Sequence, residues 1–221
     1  MFLGEAGSGK TETAINLAMR IAHEGGRAVH FFDMDQTKPL FRARDCETEL
    51  EEKGVVFHFQ AQYLDAPTVA PGVIETLTNP ECIVMMDVGG GSHGSHMIGQ
   101  FSHILNREDA RVFYIVNPYR PWSRTLADIE STVGRVAGAA RLRGLHLVAN
   151  PNFGPETTVE NVIEGLDRFR ALFPGETPDF VCVLEELCAE VEERVEEPIL
   201  PIRLNTLPEW MGGSGGEEHH Q

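Results

Sequence analysis

Apolar residues fall at helical spacing almost from the start of the chain. Ala14, Leu17, Ala18, Ile21 and Ala22 share one face of residues 10–24, and Glu12, Asn16, Arg20 and His23 share the other. Gly25-Gly26 close that helix, and residues 29–32 form a short apolar strand that runs into Asp33-Met34-Asp35. Residues 82–86 and 112–116 are unbroken apolar runs, the pattern of strands covered on both faces, and the first of them ends in Asp87. A further strand at 145–149 ends at Asn150. Between these the pattern predicts a charged helix at 47–53, a strand at 55–59 and a short helix within 67–78. It also predicts helices at 97–105, 125–142 and 159–173. Thr177-Pro178 reads as an N-cap and first-turn pair, which puts Phe180, Leu184, Leu187, Val191 and Val195 on one face of a last helix. A final strand follows at 199–204. This alternation predicts one α/β domain over residues 1–207, a mostly parallel sheet of about seven strands with helices on both faces. Residues 208–221, glycine-rich and then acidic with two histidines, have linker composition and are expected to form a flexible tail.

The first helix is preceded by Gly4-Glu5-Ala6-Gly7-Ser8-Gly9-Lys10-Thr11, which fits the phosphate-loop pattern G-x-x-x-x-G-K-S/T at every fixed position. Glycines let consecutive backbone N–H groups curl around an anion. The lysine offsets charge on the outer phosphates, the threonine hydroxyl can ligate Mg²⁺, and the helix points its positive end at the same anion. With Phe2-Leu3 as the strand before it, the predicted fold class is that of a P-loop NTPase. Only three residues precede the loop, where a central strand usually has about five, so an upstream start to the natural chain is expected.

In a parallel sheet, strand-end polar residues gather at the ligand edge. That rule brings Asp33, Asp35, Asp87 and Asn150 to the phosphate loop, where carboxylates can hold Mg²⁺ or orient an attacking water. At these residues the chain resembles the MinD/ParA-type ATPases of the CobQ/CobB/MinD/ParA superfamily. The resemblance is carried by the run Gly9 to Ala18, by Phe32-Asp33-Met34-Asp35-Gln36, by Val84-Met85-Met86-Asp87-Val88-Gly89-Gly90 and by Val148-Ala149-Asn150. It implies that ATP or ADP with Mg²⁺ is bound by Gly4 to Thr11 together with Glu12, with Asn150 offered to the adenine. It implies Lys10, Asp35 and Asp87 as the catalytic set, Asp35 positioning the water, and Thr11, Asp33 and Asp87 at the metal. The chain departs from the group at Glu5, which stands where many members carry a second lysine that reaches a partner's nucleotide. A carboxylate there opposes developing phosphoryl charge. Slow turnover in a monomer or weak nucleotide-dependent homodimer is the expectation.

Composition narrows the partners. The formal net charge of −16 over 221 residues disfavours nucleic acid and anionic membrane, and no Lys/Arg cluster offsets it. No apolar run is long enough to span a bilayer. Cys46, Cys82, Cys182 and Cys188 are scattered without a C-x-x-C pair, as in reduced cytoplasmic proteins. His93 and His96 in the Gly-rich segment after Asp87 suggest a metal, but His spaced this way in such a loop more often face solvent. The sequence therefore supports a slow Mg-ATPase switch acting on a protein partner, for instance in cofactor or metal-centre maturation. A nucleotide-sensing module without turnover and a small-molecule kinase or ligase remain alternatives.

Overall fold

The computed structural model describes residues 1–35, 43–59, 72–89 and 98–206. His93, His96, Trp210 and the expected tail at 208–221 lie outside the described residues. Eight strands form one sheet: β1 (Phe2–Leu3), β2 (Ala28–Met34), β3 (Val55–Phe59), β4 (Cys82–Val88), β5 (Phe113–Val116), β6 (His146–Ala149), β7 (Phe180–Leu184) and β8 (Ile199–Ile202). Their order is β3-β2-β4-β1-β5-β6-β7-β8, and every neighbouring pair is parallel. The helices are α1 (Lys10–Glu24), α2 (Glu47–Glu52), α3 (Val73–Leu77), α4 (Ser102–Leu105), α5 (Leu126–Ala140), α6 (Val159–Leu172) and α7 (Cys188–Glu192).

Alternation along the strands builds two cores, one on each face. Phe2, Phe31, Met85, Ile115 and Val148 turn toward α1 and α2, where Ala14, Ile15, Ala18 and Leu50 meet them. Leu3, Phe32, Met86, Tyr114 and Ala149 turn the other way, toward Ile129, Val136, Val162, Leu166 and Phe169 of α5 and α6. Caps fix where those helices begin: Thr125 accepts from the Asp128 N–H, and Thr158 and Asn161 form a reciprocal capping box.

Two expectations are corrected, the helix beginning at Phe180 and the cap before it. Residues 180–184 are β7 and not the start of a helix, which brings the expected sheet of about seven strands to eight among the described residues. Val181, Cys182 and Val183 are each fully buried between β6 and β8. A strand covered on both faces has no polar side, so its apolar run also fits a helical template. The helix there is limited to a 3-10 turn and α7, and Thr177-Pro178 leads into a strand and caps nothing. The helix expected at 97–105 is helical through its described part, Ile98 followed by a 3-10 turn at Gly99–Phe101 and the single turn of α4.

β1 lies between β4 and β5, and the chain passes from one side of it to the other between those two strands. Crevices at the carboxyl ends of strands flanking such a switch are where open α/β sheets bind ligands. The loop of residues 4–9 leaves β1 at that point.

Candidate nucleotide-phosphate site

Four of the loop's carbonyls, those of Glu5, Gly7, Ser8 and Gly9, are held by hydrogen bonds. Glu5 O accepts from the Ser8 N–H at 3.2 Å and from Lys10 Nζ at 3.2 Å. Gly7 O accepts from Arg120 Nε at 3.1 Å, and Ser8 O from Asn150 Nδ2 at 2.6 Å. Gly9 O accepts from the Thr13 N–H at 2.9 Å and from Thr13 Oγ1 at 2.8 Å. With its carbonyls so occupied, the loop is preorganised as an anion nest. Gly9 is indispensable to it: φ is +92°, and a Cβ there would stand 2.0 Å from Asn150 Nδ2. Ser8 Oγ is buried without a hydrogen-bond partner among the described residues, a hydroxyl suited to an anion.

Behind the loop, Thr11 Oγ1 donates to Asp87 Oδ2 at 2.6 Å, joining the first turn of α1 to the end of β4. Asp33 is the register partner of Asp87 across β2 and β4. Asp33 Oδ1 accepts the Asp35 N–H at 3.0 Å, so Asp33 also fixes the turn that leaves β2. Asp35 approaches from that turn: a Cβ on Gly89 would stand 2.8 Å from Asp35 Oδ1, so only glycine fits beside it. All three carboxylates are buried, with Asp87 only 1% exposed. Among the described residues, no group of three or more His, Cys, Asp or Glu could hold a metal by itself. The Thr11 hydroxyl beside the Asp87 carboxylate nevertheless suits Mg²⁺, a hard ion that binds through few protein oxygens and takes its other ligands from phosphate and water.

The structure gathers Gly4 to Thr11, Asp33, Asp35 and Asp87 at one edge and gives Glu12, Asn150 and Glu5 different surroundings from those expected. The Glu12 carboxylate turns away to the segment after β8. It accepts from the Asn205 N–H, from Asn205 Nδ2 at 2.9 Å, from the Thr206 N–H at 3.1 Å and from Thr206 Oγ1 at 2.6 Å. Burial raises its pKa against the pull of those bonds. Its acceptor positions are thus taken by backbone and side-chain donors of that segment. Asn150 likewise spends its amide N–H on Ser8 O, while its Oδ1 accepts from Asn152 Nδ2 at 2.5 Å. Here it braces the loop. Glu5 Oε1 meets Arg135 Nη2 at 2.8 Å, an intrachain pair in which Glu5 is 19% exposed.

Residues that sequence reasoning missed complete the frame. Asn117, 2% exposed at the end of β5, donates to Asn152 O at 2.9 Å, and Asn152 donates to Cys182 O at 2.9 Å. These asparagines link the exits of β5, β6 and β7 beneath the loop. The strand-end rule that marked Asp87 and Asn150, applied to residues 112–116, would also have reached Asn117 and Arg120. Arg135 lies in the middle of α5 and carried no such signal.

With the loop at the end of a central parallel strand and its threonine joined to the aspartate of the adjacent strand, the architecture is decided. This is the P-loop NTPase fold. No protein-family model matches the chain. It is similar to the signal recognition particle 54 kDa protein of Pyrobaculum islandicum, 30% identical over 140 residues. That match takes in 63% of this chain but only 29% of the relative, so the chain spans less than a third of that protein's length. Among solved structures it is similar to the signal recognition particle 54 kDa protein of Aeropyrum pernix K1 in complex with GDP, at 19% identity and TM-score 0.35. That comparison covers 83% of this chain and 34% of the other. The signal recognition particle receptor FtsY of Elizabethkingia anophelis is similar at 15% identity and TM-score 0.40, over 94% of this chain and 60% of that one. The fold assignment rests on the sheet order and the loop described above, and not on these overlays.

Proposed function

We propose that the chain binds a purine nucleoside triphosphate with Mg²⁺ at the phosphate loop and hydrolyses it slowly, as a switch read by a protein partner. The observation that carries this reading is the 2.6 Å bond between Thr11 Oγ1 and Asp87 Oδ2 behind a loop whose carbonyls are tied outward. Thr11 and Asp87 would hold Mg²⁺, which when bound offsets charge on the outer phosphates. The loop N–H groups and Lys10 bind the phosphates, and Asp35 orients the attacking water. The water oxygen forms a bond to the γ-phosphorus as the bond from that phosphorus to the β–γ bridging oxygen breaks. The electron pair leaves on the diphosphate, and the water's proton passes to the Asp35 carboxylate.

For the base we favour adenine, because no Asn-Lys-x-Asp guanine-reading sequence occurs in the chain. A guanine nucleotide is the second reading, supported by the 30% identity to a signal recognition particle protein and by the GDP named with a solved relative. A nucleotide sensor with no turnover is favoured by the Glu5–Arg135 pair, since it leaves a carboxylate beside the loop. The MinD/ParA-type assignment remains part of this proposal, as does cytoplasmic work without nucleic acid or membrane. Among the described residues, no helix is long and apolar enough to cross a membrane. The relative's name supports a protein-directed role, since it is that of a particle's protein.

Turnover of ATP and GTP by purified protein, with Mg²⁺ and with chelator, tests the reading. Slow Mg-dependent release of phosphate from ATP, with GTP the weaker competitor, is the expected result. Tighter GTP binding overturns the base assignment, and binding without turnover selects the sensor.

A further inference from the structure

The sheet has a break in its middle. β4 pairs with β2 along its whole length, from Ala28↔Cys82 to Met34↔Val88. On its other side its neighbour is β1, and there the pairing is Phe2↔Asp87 alone. β1 itself is matched to Phe113 and Tyr114 of β5. Toward the amino ends of these strands, the space between Cys82–Met86 and the approach to β5 holds a cavity of about 400 Å³. A strand of five residues rises about 16 Å, and strands two places apart lie about 10 Å from each other, room for one chain between them. The lining is apolar on both faces of the sheet. Leu17 and Ile21 of α1 stand on one face, and Leu77 of α3 and Leu105 of α4 on the other. That is the setting of a central parallel strand, matched by a segment whose side chains are apolar in both directions. The backbone of β4 needs the same occupant. Successive residues of a parallel strand turn their N–H and C=O groups to alternate sides, and buried groups of this kind are almost always paired. Along Cys82–Met86 no strand meets those on the β1 side among the described residues. The ladder to β5 runs on into the break: Phe113 N–H donates to Met1 O at 2.9 Å, and the Met1 amine donates to Arg111 O at 2.9 Å. Burial pushes that amine down to about 5, so the position suits an uncharged N–H.

We propose that this break is the seat of an extended apolar segment of about four or five residues, parallel to β4 and joined to the amino side of Met1 in the natural protein. One edge of the segment pairs with Cys82–Met86, and the other carries the β5 ladder on past Met1. Its side chains fill the cavity alternately toward α1 and toward α3 and α4. Continuity selects this source over a strand from another protein, because the backbone at Met1 already lies in the ladder and leads into the cavity. β1 carries the loop of residues 4–9, so the segment anchors that loop at its root. The inference itself needs nothing from the nucleotide reading.

The experiment compares three proteins, each shown to be folded by circular dichroism: the 221-residue chain, the chain with Val-Ile-Val-Ile ahead of Met1, and the chain with Gly-Ser-Gly-Ser there. Val-Thr-Val-Thr replaces the first extension if that one aggregates. Hydrogen exchange is followed at residues 82–86, thiol labelling at Cys82, which is half-buried and lines the cavity, and unfolding in urea. The apolar extension should slow both exchange and labelling by about tenfold or more and raise the urea midpoint. The Gly-Ser extension, with no side chains to fill the cavity, should leave Cys82 labelling within about twofold of the unextended chain. Equal behaviour of the two extensions would overturn the strand seat. The source is tested by mass spectrometry of the protein from its native cells, which should show an apolar run immediately ahead of Met1. A native chain that begins at Met1 would overturn the assignment of the segment to this protein's own chain, even where the apolar extension fills the break.

Discussion

Replacing Asn150 by alanine separates two jobs that an asparagine at this strand end could have. As a brace, its amide holds Ser8 O at 2.6 Å and fills the space a side chain on Gly9 would need. Asn150 is 7% exposed, so removing the amide leaves a buried carbonyl without its donor. That loss costs about 1–3 kcal/mol. Water has little access to repair it. Part of the cost falls on folding and part on binding, because the empty loop loses order that the ligand must restore. At 1.4 kcal/mol per decade, a cost carried wholly by binding weakens affinity between about fivefold and about 150-fold. A brace acts on the phosphates, so Mg-ATP and Mg-GTP should weaken by the same factor. Calorimetric titration of wild type and Asn150→Ala with each nucleotide, beside urea unfolding of both proteins, measures the two parts. If one nucleotide weakens by tenfold and the other is untouched, Asn150 reads the base and the brace argument fails. Unchanged affinity for both, with unchanged stability, refutes it as well.

Glu12→Ala removes the acceptor of four hydrogen bonds from Asn205 and Thr206. It should lower unfolding stability in urea by about 1–3 kcal/mol while leaving nucleotide affinity close to wild type; a selective loss of affinity would return Glu12 to the ligand. His30 and His58 stack with Nδ1 of the first 2.9 Å from Nε2 of the second, and burial lowers the pKa of both from 6.5. The folded state thus binds fewer protons than the unfolded one, so stability is full above about pH 6.5 and declines as pH falls toward the folded values. Urea melts between pH 5 and 8 should show that slope, and His58→Phe should flatten it; an equal slope in the variant removes the pair as the cause. Because Glu5 keeps a carboxylate beside the loop, the protein should remain mostly monomeric with a non-hydrolysable ATP analogue in light scattering. A tight nucleotide-dependent dimer would contradict this.

Much of the architecture was legible because buried parallel strands are apolar runs and α1 is strongly two-sided. The motif at residues 4–11 fixed the loop, and strand ends at Asp33, Asp87 and Asn150 indicated the edge. Periodicity failed at β7, where both faces are covered and helix and strand templates fit the same residues. It could not reveal which way a polar side chain turns. Glu12 is committed to residues that lie 193 and 194 positions away, and Glu5 to an arginine 130 positions away. Such pairings depend on how α1 packs beside β8 and how α5 passes the loop, which no local pattern encodes. Arg120 escaped for a simpler reason: its loop follows a strand end that was read as core alone.

The central claim is that residues 4–11 hold the phosphates of a nucleotide, with Lys10 as their main charge partner. Lys10 is 1% exposed, and its Nζ is held 3.2 Å from Glu5 O across the loop. Titration of Lys10→Ala with Mg-ATP and Mg-GTP, on protein shown by circular dichroism to be folded, is the most direct test. The account predicts that wild type binds at least one of the two and the variant binds neither measurably. Wild-type affinity in a folded Lys10→Ala variant, or a folded wild type that binds neither, would contradict it.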